Sequence, residues 1–423
     1  MEISPNTQAI LLLTAPLIAG KKAEPAPLLT LKDYNCFARC LRDAGKEPAD
    51  LLGADVGELL DSCGARYGRE RLEALLARGF LLGQAADRWR SRGIWVISRA
   101  DACYPRRLKA RLREAAPPIL YGCGEPGLLD AGGLAVVGSR HVDDELVRYT
   151  TQLGAVAAEA GVAIVSGAAR GIDSSAMAGA LDAGGRVIGV MADSLQRAAL
   201  AKGNRDAFRD GRLVVVSAYD PAAGFNVGHA MQRNKAIYAL SDAGLVVTSD
   251  FKKGGTWAGA IEQLGKLKLV PVFVRNGSAA GKGNQALLQQ GGEAWPEPAT
   301  GEELTEAICR AKEDRAKEPK QESLGLPLRE EEGNYAAESP SDVEEPEARR
   351  SRRSPSEQLM SAVTAIMLEI LYEPMSDKQI AELLNVSKAQ VQTWLKVLME
   401  QGKLEKLTKP VRYQVVNAEG KLL

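Results

Sequence analysis

Six short apolar runs that alternate with helix-length segments constrain the fold of this chain more than any other feature of its sequence. The runs are rich in β-branched residues and apolar on both faces, as strands buried inside a parallel sheet must be. Strands that alternate with helices over so many units are typical of a doubly wound α/β sheet. We therefore predict an α/β fold built on such a sheet, with strands near residues 134–137, 162–165, 186–190, 213–216, 244–248 and 269–274.

The segments on either side of these runs predict a chain of four regions. Residues 1–125 show helical periodicity, ending in a strand-like stretch at 93–98, and suggest a helical module similar to SAM or helix–hairpin–helix domains. Residues 126–300 form the Rossmann-like sheet domain. Residues 301–355 lose apolar periodicity and become charged, which predicts a disordered linker. Residues 356–423 regain order as three helices and a hairpin, which predicts a winged helix.

The apolar run at residues 9–19 could be mistaken for a signal peptide. Only Glu2 carries a side-chain charge before it, whereas a signal peptide begins with basic residues. The run is also too short to span a bilayer. We expect a core helix capped near Ser4, and a cytoplasmic protein with no membrane partner.

Charge and cysteine content narrow the function classes. Lysine and arginine number 54 and so do aspartate and glutamate, so the net charge is zero and a uniformly basic nucleic-acid coat is excluded. A local basic groove is not excluded, because steering depends on where charges cluster. The six cysteines show no C-x2-C spacing and only two histidines accompany them. We expect reduced thiols, no metal and no cofactor.

The ends of the first two strands of the predicted sheet carry glycine turns with arginines. In open α/β sheets ligands bind beyond the carboxyl ends of the strands, where the strand order reverses. Glycines allow close approach of the backbone, helix N-termini bind anions, and arginine suits phosphate. Ordinary turn glycines with surface arginines are the alternative. The predicted phosphate-binding residues here are Gly138, Ser139, Arg140, Ser166, Gly167, Arg170 and Gly171.

Two further segments extend this predicted basic edge. The segment after the fourth strand places Arg233, Asn234 and Lys235 at the start of a helix predicted for residues 236–240. The fifth strand is followed by Lys252 and Lys253 in a glycine turn, before a helix capped by Thr256. So many cations along one edge fit a polyanion better than a single mononucleotide.

Signatures of catalysis are scarce. Neither a Gly-x-Gly-x-x-Gly fingerprint after a strand nor a Walker motif is present. His229 could serve as a base, but no serine or cysteine is obviously paired with it. Asp173 is most simply a helix cap or a partner for Arg170. The sequence therefore favours a binding protein over an enzyme.

The predicted winged helix offers a second, weaker nucleic-acid contact. Its third helix would present four polar side chains to a groove. Winged helices also serve as protein-docking modules, and both interpretations are open. The four residues are Lys388, Gln390, Gln392 and Thr393.

Several ordered motifs between Trp89 and Trp295 match one known family. They include Tyr104-Pro105-Arg106-Arg107-Leu108 near the start and Gly281-x-Gly283-Asn284-x-x-Leu287 near the end. The most specific are Val137-Gly138-Ser139-Arg140 and the run from Ser166 to Asp173. By these motifs the chain resembles the DNA-processing protein A family, also called DprA or Smf.

The resemblance implies an extended Rossmann fold that binds single-stranded DNA, commonly as a homodimer, and helps to load a RecA-type recombinase. It implies DNA processing during transformation or recombination, with defence against foreign DNA as another setting. By motif, the phosphate-binding role carries over to Ser139, Arg140, Ser166, Gly167, Arg170, Arg233 and Asn234.

The chain also departs from the family pattern at several places, as a divergent branch would. Met177 stands where the family usually has histidine, and Lys235 where it has arginine. The turn at 253–256, the residues at 248–250 and the segment at 193–205 also differ from the usual pattern. Two other functions stay open: a Rossmann protein that binds or cleaves a nucleotide as a sensor, and a winged-helix transcriptional regulator.

Overall fold

The computed structural model describes the first part of the chain almost continuously and the last part in short stretches. The chain divides into two compact units, Met1–Gly325 and Leu326–Leu423. None of the described helices is both long and apolar enough to cross a membrane. The described residues are 2–17, 26–54, 56–64, 66–277, 281–317, 363–364, 367–368, 370–371, 374–384, 391–392, 394–395, 398–399, 403–408 and 411–415.

A nine-stranded sheet forms the centre of the first unit and confirms the predicted doubly wound architecture. The strands are β1 (Trp95–Ser98), β2 (Ile119–Gly124), β3 (Leu134–Gly138), β4 (Ile164–Ser166), β5 (Val187–Met191), β6 (Leu213–Ser217), β7 (Ala243–Thr248), β8 (Val272–Val274) and β9 (Glu293–Ala294). Their order is β1-β2-β6-β5-β4-β3-β7-β8-β9. From β6 to β9 the neighbours are parallel, whereas β1 and β2 are antiparallel additions at one edge.

Fourteen described α-helices belong to this unit, some of them packed on the sheet and others in the region that precedes it in the chain. Both faces of the sheet are apolar: Leu134 and Val136 of β3 belong to one buried cluster, and Ala135 and Val137 to the other. The helices are α1 (Pro5–Thr14), α2 (Leu31–Asp43), α3 (Val56–Cys63), α4 (Arg69–Leu76), α5 (Gly79–Arg90), α6 (Arg106–Leu112), α7 (Asp144–Glu159), α8 (Ile172–Asp182), α9 (Leu195–Leu200), α10 (Arg205–Arg209), α11 (Val227–Leu240), α12 (Gly254–Glu262), α13 (Lys282–Gln289) and α14 (Gly301–Lys317).

The amino-terminal helices are joined to the sheet rather than separated from it. Helix α1 is the predicted core helix, and the Ser4 hydroxyl caps it by accepting from the Thr7 N–H. The buried guanidinium of Arg78 donates to the carbonyls of Leu11, Leu12 and Ala15 at the end of α1. The predicted boundary at residue 125 falls directly after β2, which pairs with β6 of the central sheet.

The linker predicted for residues 301–355 begins too early, because its first residues form helix α14. Residues 301–317 are helical, and Leu304, Ile308 and Ala311 are buried in the core cluster that also contains residues of α7. Their spacing places them on one face of the helix, although charged residues occupy most other positions. The prediction was wrong here because a narrow apolar stripe is easily hidden by a high charge content. Residues 318–355 lie outside the described residues.

The second unit contains a small buried cluster beside a hairpin. Helix α15 (Asp377–Leu384) contributes Ile380, and strands β10 (Leu404–Thr408) and β11 (Val411–Val415) pair in antiparallel fashion. Most of the predicted third helix, which would present polar side chains to a groove, lies outside the described residues. The winged helix therefore stays a prediction.

The Asp242 carboxylate ties the start of β3 to the end of α11. It accepts from the Arg107 guanidinium at 2.9 Å and from the Gly133 N–H at 2.9 Å. Burial raises the pKa of Asp242, but the contacts with Arg107 and Gly133 outweigh burial and hold the pKa below its usual value. A carboxyl with a lowered pKa stabilises the fold above its unfolded-state pKa, and that contribution disappears as the pH falls through the folded-state pKa.

We expect Asp242→Asn to lower the free energy of unfolding by about 1–3 kcal/mol at neutral pH, because two charge-assisted hydrogen bonds are weakened. Chemical denaturation at a series of pH values measures the loss. The difference from the wild type should shrink as the medium becomes strongly acidic; a difference that stays constant with pH would contradict the role of the charge.

Candidate nucleic-acid interface

The carboxyl ends of β3, β4 and β7 meet where the strand order reverses. The chain runs from β3 outward through β4 and β5 to β6, and then returns to β7 on the other side of β3. Adjacent strands lie about 4.8 Å apart, so the turns that follow these three strands are neighbours. We call the surface formed by these turns and the start of α11 the basic edge; it comprises residues 138–140, 166–171, 225–235 and 249–256.

Close packing holds the turns after β3 and β4 together. A Cβ atom on Gly138 would lie 2.4 Å from Cγ1 of Ile172, and one on Gly171 would lie 2.6 Å from the carbonyl oxygen of Ser139. Gly171 also has φ of +91°, a conformation that side chains disfavour. The two glycines let the backbones touch, so Arg140 and Arg170 project from adjoining turns.

A buried ion pair lies beneath these turns. The Arg233 Nη1 is 3.6 Å from Oδ2 of Asp173, and both side chains are less than one tenth exposed. A Cβ atom on Gly167 would lie 1.0 Å from the same Nη1, so the guanidinium occupies the space that a side chain at 167 would need. Nε and Nη1 of Arg233 make no hydrogen bond within the described part of the chain.

This pair corrects two predictions. Asp173 is a partner of Arg233, not of Arg170. Arg233 does not open a helix: Asn226 caps α11 by accepting from the His229 N–H, so the helix begins at Val227 and Arg233 lies in its interior. The predicted start at residue 236 was wrong because Gly228 interrupts the apolar pattern, while the capping asparagine was overlooked.

The electrostatics of Asp173 explain how the turns are ordered. Burial raises the pKa of its carboxyl, and this is opposed by Arg233 and then by the backbone N–H groups of Ala169, Gly167 and Gly138. Burial also lowers the pKa of Arg233, with Asp173 opposing. The inner N–H groups of the glycine turns therefore face a carboxylate of the protein, and an outside phosphate would meet mainly the side chains that project from the turns.

The other predicted residues of α11 contact the protein itself. The Asn234 Nδ2 donates to the carbonyl of Gly255 at 3.0 Å, which ties α11 to α12. Lys235 pairs with Glu262 of α12 at 3.1 Å. Both contacts position α12 beside α11.

Two hydroxyl groups near the strand ends also bind backbone. The buried Ser166 hydroxyl donates to the Val136 carbonyl at 2.6 Å and joins β4 to β3. The Thr256 hydroxyl donates to the Gly138 carbonyl at 2.9 Å. Thr256 is not the cap that we predicted; α12 begins at Gly254, and Lys253 occupies the capping position.

The accessible cations of the basic edge are Arg140, Arg170, Lys252 and Lys253, all of which are exposed. Within the described residues, none of these four side chains has a carboxylate partner. The half-buried Ser139 lies beside Arg140, and its N–H donates to the Thr248 carbonyl. The structure thus brings together four unpaired positive charges from three neighbouring turns.

His229 lies in the first turn of α11. Its ring stacks on Tyr219 with centroids 3.7 Å apart, and burial lowers its pKa. Among the described residues, no group of three histidine, cysteine or acidic side chains could hold a metal ion. Two cavities, of about 450 and 340 Å³, are lined in part by α14 and include none of the predicted phosphate-binding residues.

Two exposed phenylalanines of the basic edge were missed by the sequence reasoning. Phe225 is 58% exposed, and its ring lies 5.1 Å from the Arg140 guanidinium carbon. Phe251 is 46% exposed and lies 5.2 Å from Nζ of Lys252. Phe251 directly precedes the two lysines in the sequence, so its place beside them could have been predicted. Phe225 is far from Arg140 in sequence, and only the fold brings them together.

Of the four residues predicted to contact a groove from the winged helix, only Gln392 lies within the described residues. Gln392 donates to the Asp377 carboxylate at 2.9 Å. Lys388, Gln390 and Thr393 lie outside the described residues.

Comparisons with known proteins point to one family. The family model of DNA recombination-mediator protein A matches residues 95–306. The DNA processing protein DprA of Bacillus subtilis is 30% identical over 223 residues, which is 52% of this chain and 74% of that protein. Protein Smf of Synechocystis is 27% identical over 196 residues, 44% of this chain and 48% of that protein.

The fold is shared with a solved protein structure. DNA processing protein A of Streptococcus pneumoniae superposes with a TM-score of 0.53 at 22% sequence identity. The superposition covers 72% of this chain and 98% of the pneumococcal chain.

Proposed function

Because the chain belongs to the DNA recombination-mediator protein A family, we propose that its basic edge binds single-stranded DNA during DNA processing or recombination. The observation that carries this proposal is the convergence of Arg140, Arg170, Lys252 and Lys253 on neighbouring turns without carboxylate partners. Unpaired exposed cations in a row match the regular phosphates of a nucleic-acid backbone.

The predicted site residues fall into two groups. The four exposed cations would contact phosphates, with Ser139 beside them. Gly138, Gly167 and Gly171 let the turns pack, while Ser166, Arg233, Asn234 and Lys235 hold the elements in place. We propose a binding function rather than an enzymatic one, since the buried Asp173 and Arg233 neutralise each other and His229 stacks on a tyrosine.

Replacing Arg170 by alanine should weaken binding of single-stranded DNA about five- to tenfold, and to a similar extent for every base sequence, because phosphate contacts carry no sequence information. The slope of log affinity against log salt should become shallower by about 0.7 for the lost phosphate contact. Fluorescence anisotropy of a labelled oligonucleotide, titrated at several salt concentrations, measures both quantities.

The matched control is Arg90→Ala. Arg90 is also an exposed arginine, but it lies at the end of α5 and pairs loosely with Asp87. The control should bind DNA as the wild type does. Equal affinities of the Arg170 and Arg90 variants would refute the assignment of the basic edge, and stabilisation of the wild type by a mononucleotide alone would favour a nucleotide sensor instead.

The homodimer and the RecA-type recombinase partner stay predictions from the family resemblance. DNA contact by the second unit stays a prediction from its winged-helix pattern. Sedimentation of the full chain tests the first. Filament formation by a recombinase on single-stranded DNA, with and without the protein, tests the second. Binding of duplex DNA by residues 356–423 alone would favour a regulator.

A further inference from the structure

The basic edge carries aromatic rings as well as cations, and phosphate binding alone does not explain them. The chain has only six phenylalanines, and three of them are exposed: Phe80, Phe225 and Phe251. Two of these three lie on the basic edge. Single exposed apolar side chains are ordinary on protein surfaces, so exposure alone would indicate nothing. The placement of both rings beside the unpaired cations is what calls for an explanation.

Each ring is held in a fixed environment. Phe225 lies against the Arg140 guanidinium on the turn after β3. Phe251 lies against the Lys252 ammonium and packs edge-on against Trp257, with ring centroids 5.3 Å apart. A cation near an aromatic ring contributes a modest attraction that favours one orientation. Both rings are thereby oriented in part before any ligand arrives, while about half of each side chain stays accessible.

The rings also lie near the ends of two neighbouring strands, although Phe225 itself belongs to the segment between β6 and α11. Arg140, which contacts Phe225, follows β3, and Phe251 follows β7, the strand paired with β3 in parallel register. A strand of nucleic acid that laid its phosphates along the cations of these turns would bring its bases to the same surface. Stacking of unpaired bases on aromatic side chains, beside a positively charged track, is a general means of binding single strands without sequence preference.

We propose that Phe225 and Phe251 are stacking platforms for unpaired bases, so that the basic edge selects single-stranded over duplex nucleic acid. This rests on the proposed function, because it assumes that the cations beside the rings contact phosphates. In a duplex the faces of the bases are covered by their neighbours, and the rings would have nothing to stack upon. The cations supply affinity for any phosphate backbone, and the rings supply the preference for exposed bases.

The test compares Phe225→Leu and Phe251→Leu with Phe80→Leu as the matched control. Leucine keeps an apolar side chain but has no ring, and Phe80 is 77% exposed on α5, which is not part of the basic edge. Two labelled ligands of equal length are used: an oligothymidylate, and an oligomer with the same backbone but abasic sugars at every position. Anisotropy at several salt concentrations gives affinity and salt dependence.

We expect each basic-edge variant to bind the oligothymidylate about 5- to 100-fold more weakly than the wild type. Binding of the abasic oligomer should be unchanged and already weak in the wild type. The salt slope should also be unchanged, because no phosphate contact is removed. The Phe80 variant should match the wild type with both ligands.

The possible failures are distinguishable. If the wild type binds both ligands equally well and the leucine variants bind like the wild type, the stacking role is wrong while DNA binding by the cations stands. If the variants lose affinity for both ligands alike and the salt slope falls, the rings merely position Arg140 and Lys252, which also overturns the stacking role. If the wild type binds neither ligand, the proposed function fails together with the inference.

Discussion

Replacing Arg233 by methionine is expected to lower the free energy of unfolding by about 3–5 kcal/mol, because the Asp173 carboxylate would be left buried without its partner. Methionine ends where Nε of the arginine lay, so the empty space left by the guanidinium adds to the effect of the lost charge. The matched control is Arg212→Met: the Arg212 side chain is partly exposed and lies 3.5 Å from Asp210. The control should cost no more than about 1 kcal/mol. Chemical denaturation of the three proteins measures the differences.

The pH dependence of this loss separates charge from packing. Burial already raises the pKa of Asp173, and without Arg233 the pKa would rise further. An acid whose pKa is raised on folding binds protons more readily in the folded state, so its burial costs more as the pH rises above the unfolded value of about 3.9. The loss of stability in the Arg233 variant should therefore be smaller at mildly acidic pH than at neutral pH.

A second change in the same variant, Asp173→Asn, should restore part of the stability, since it removes the unpaired charge. If neither an acidic pH nor Asp173→Asn reduces the loss of stability, the explanation by charge is wrong.

The Gly171→Ala variant should lose about 3 kcal/mol of stability and most of its affinity for single-stranded DNA. Two effects add: the residue has φ of +91°, and a Cβ atom would lie 2.6 Å from the Ser139 carbonyl oxygen and 2.8 Å from that of Arg140. The conformation alone costs about 1–3 kcal/mol. The clash is with backbone, which cannot rotate away as a side chain can, so the turn that presents Arg140 must move.

Gly184 offers a control that isolates the conformational part. It has φ of +81°, and no atom lies within 4 Å of the place that a Cβ would take. Gly184→Ala should therefore lose about 1 kcal/mol of stability and keep wild-type DNA affinity. Thermal unfolding and anisotropy measure the two properties. If Gly171→Ala and Gly184→Ala bind DNA with equal affinity, the contact between the turns after β3 and β4 does not determine the shape of the basic edge.

The sequence was a good guide to the strands and a poor guide to the contacts among their turns. Buried parallel strands are apolar runs with sharp ends, so strands such as β3 and β6 could be read directly from the sequence. Strand β2 was missed, because it is separated from the alternating units and pairs antiparallel at one edge. Helix α14 was missed because its apolar stripe is narrow.

The candidate site shows why contacts are harder to predict than motifs. Arg140 and Arg170 follow glycine turns, which is a local pattern, and the structure places both on the exposed edge. Arg233 belongs to an equally recognisable motif, yet its side chain turns inward to Asp173, and nothing local distinguishes it from an exposed arginine. The contact of Phe225 with Arg140 joins two distant segments, and only the topology of the sheet brings it about.

The pairing of β2 with β6 has a consequence for the order in which the chain can fold during synthesis. Strand β2 leaves the ribosome before β3, β4 and β5, yet its partner β6 follows all three of them. Until β6 has emerged, the ribbon of β1 and β2 that adjoins the amino-terminal helices lacks a third strand, and a two-stranded ribbon is too small to be stable by itself. We therefore expect ribosome-bound chains that end before residue 213 to be cleaved readily by protease within their first 124 residues. Chains that extend past β6 should resist, since the amino-terminal helices and the central sheet would then become native together.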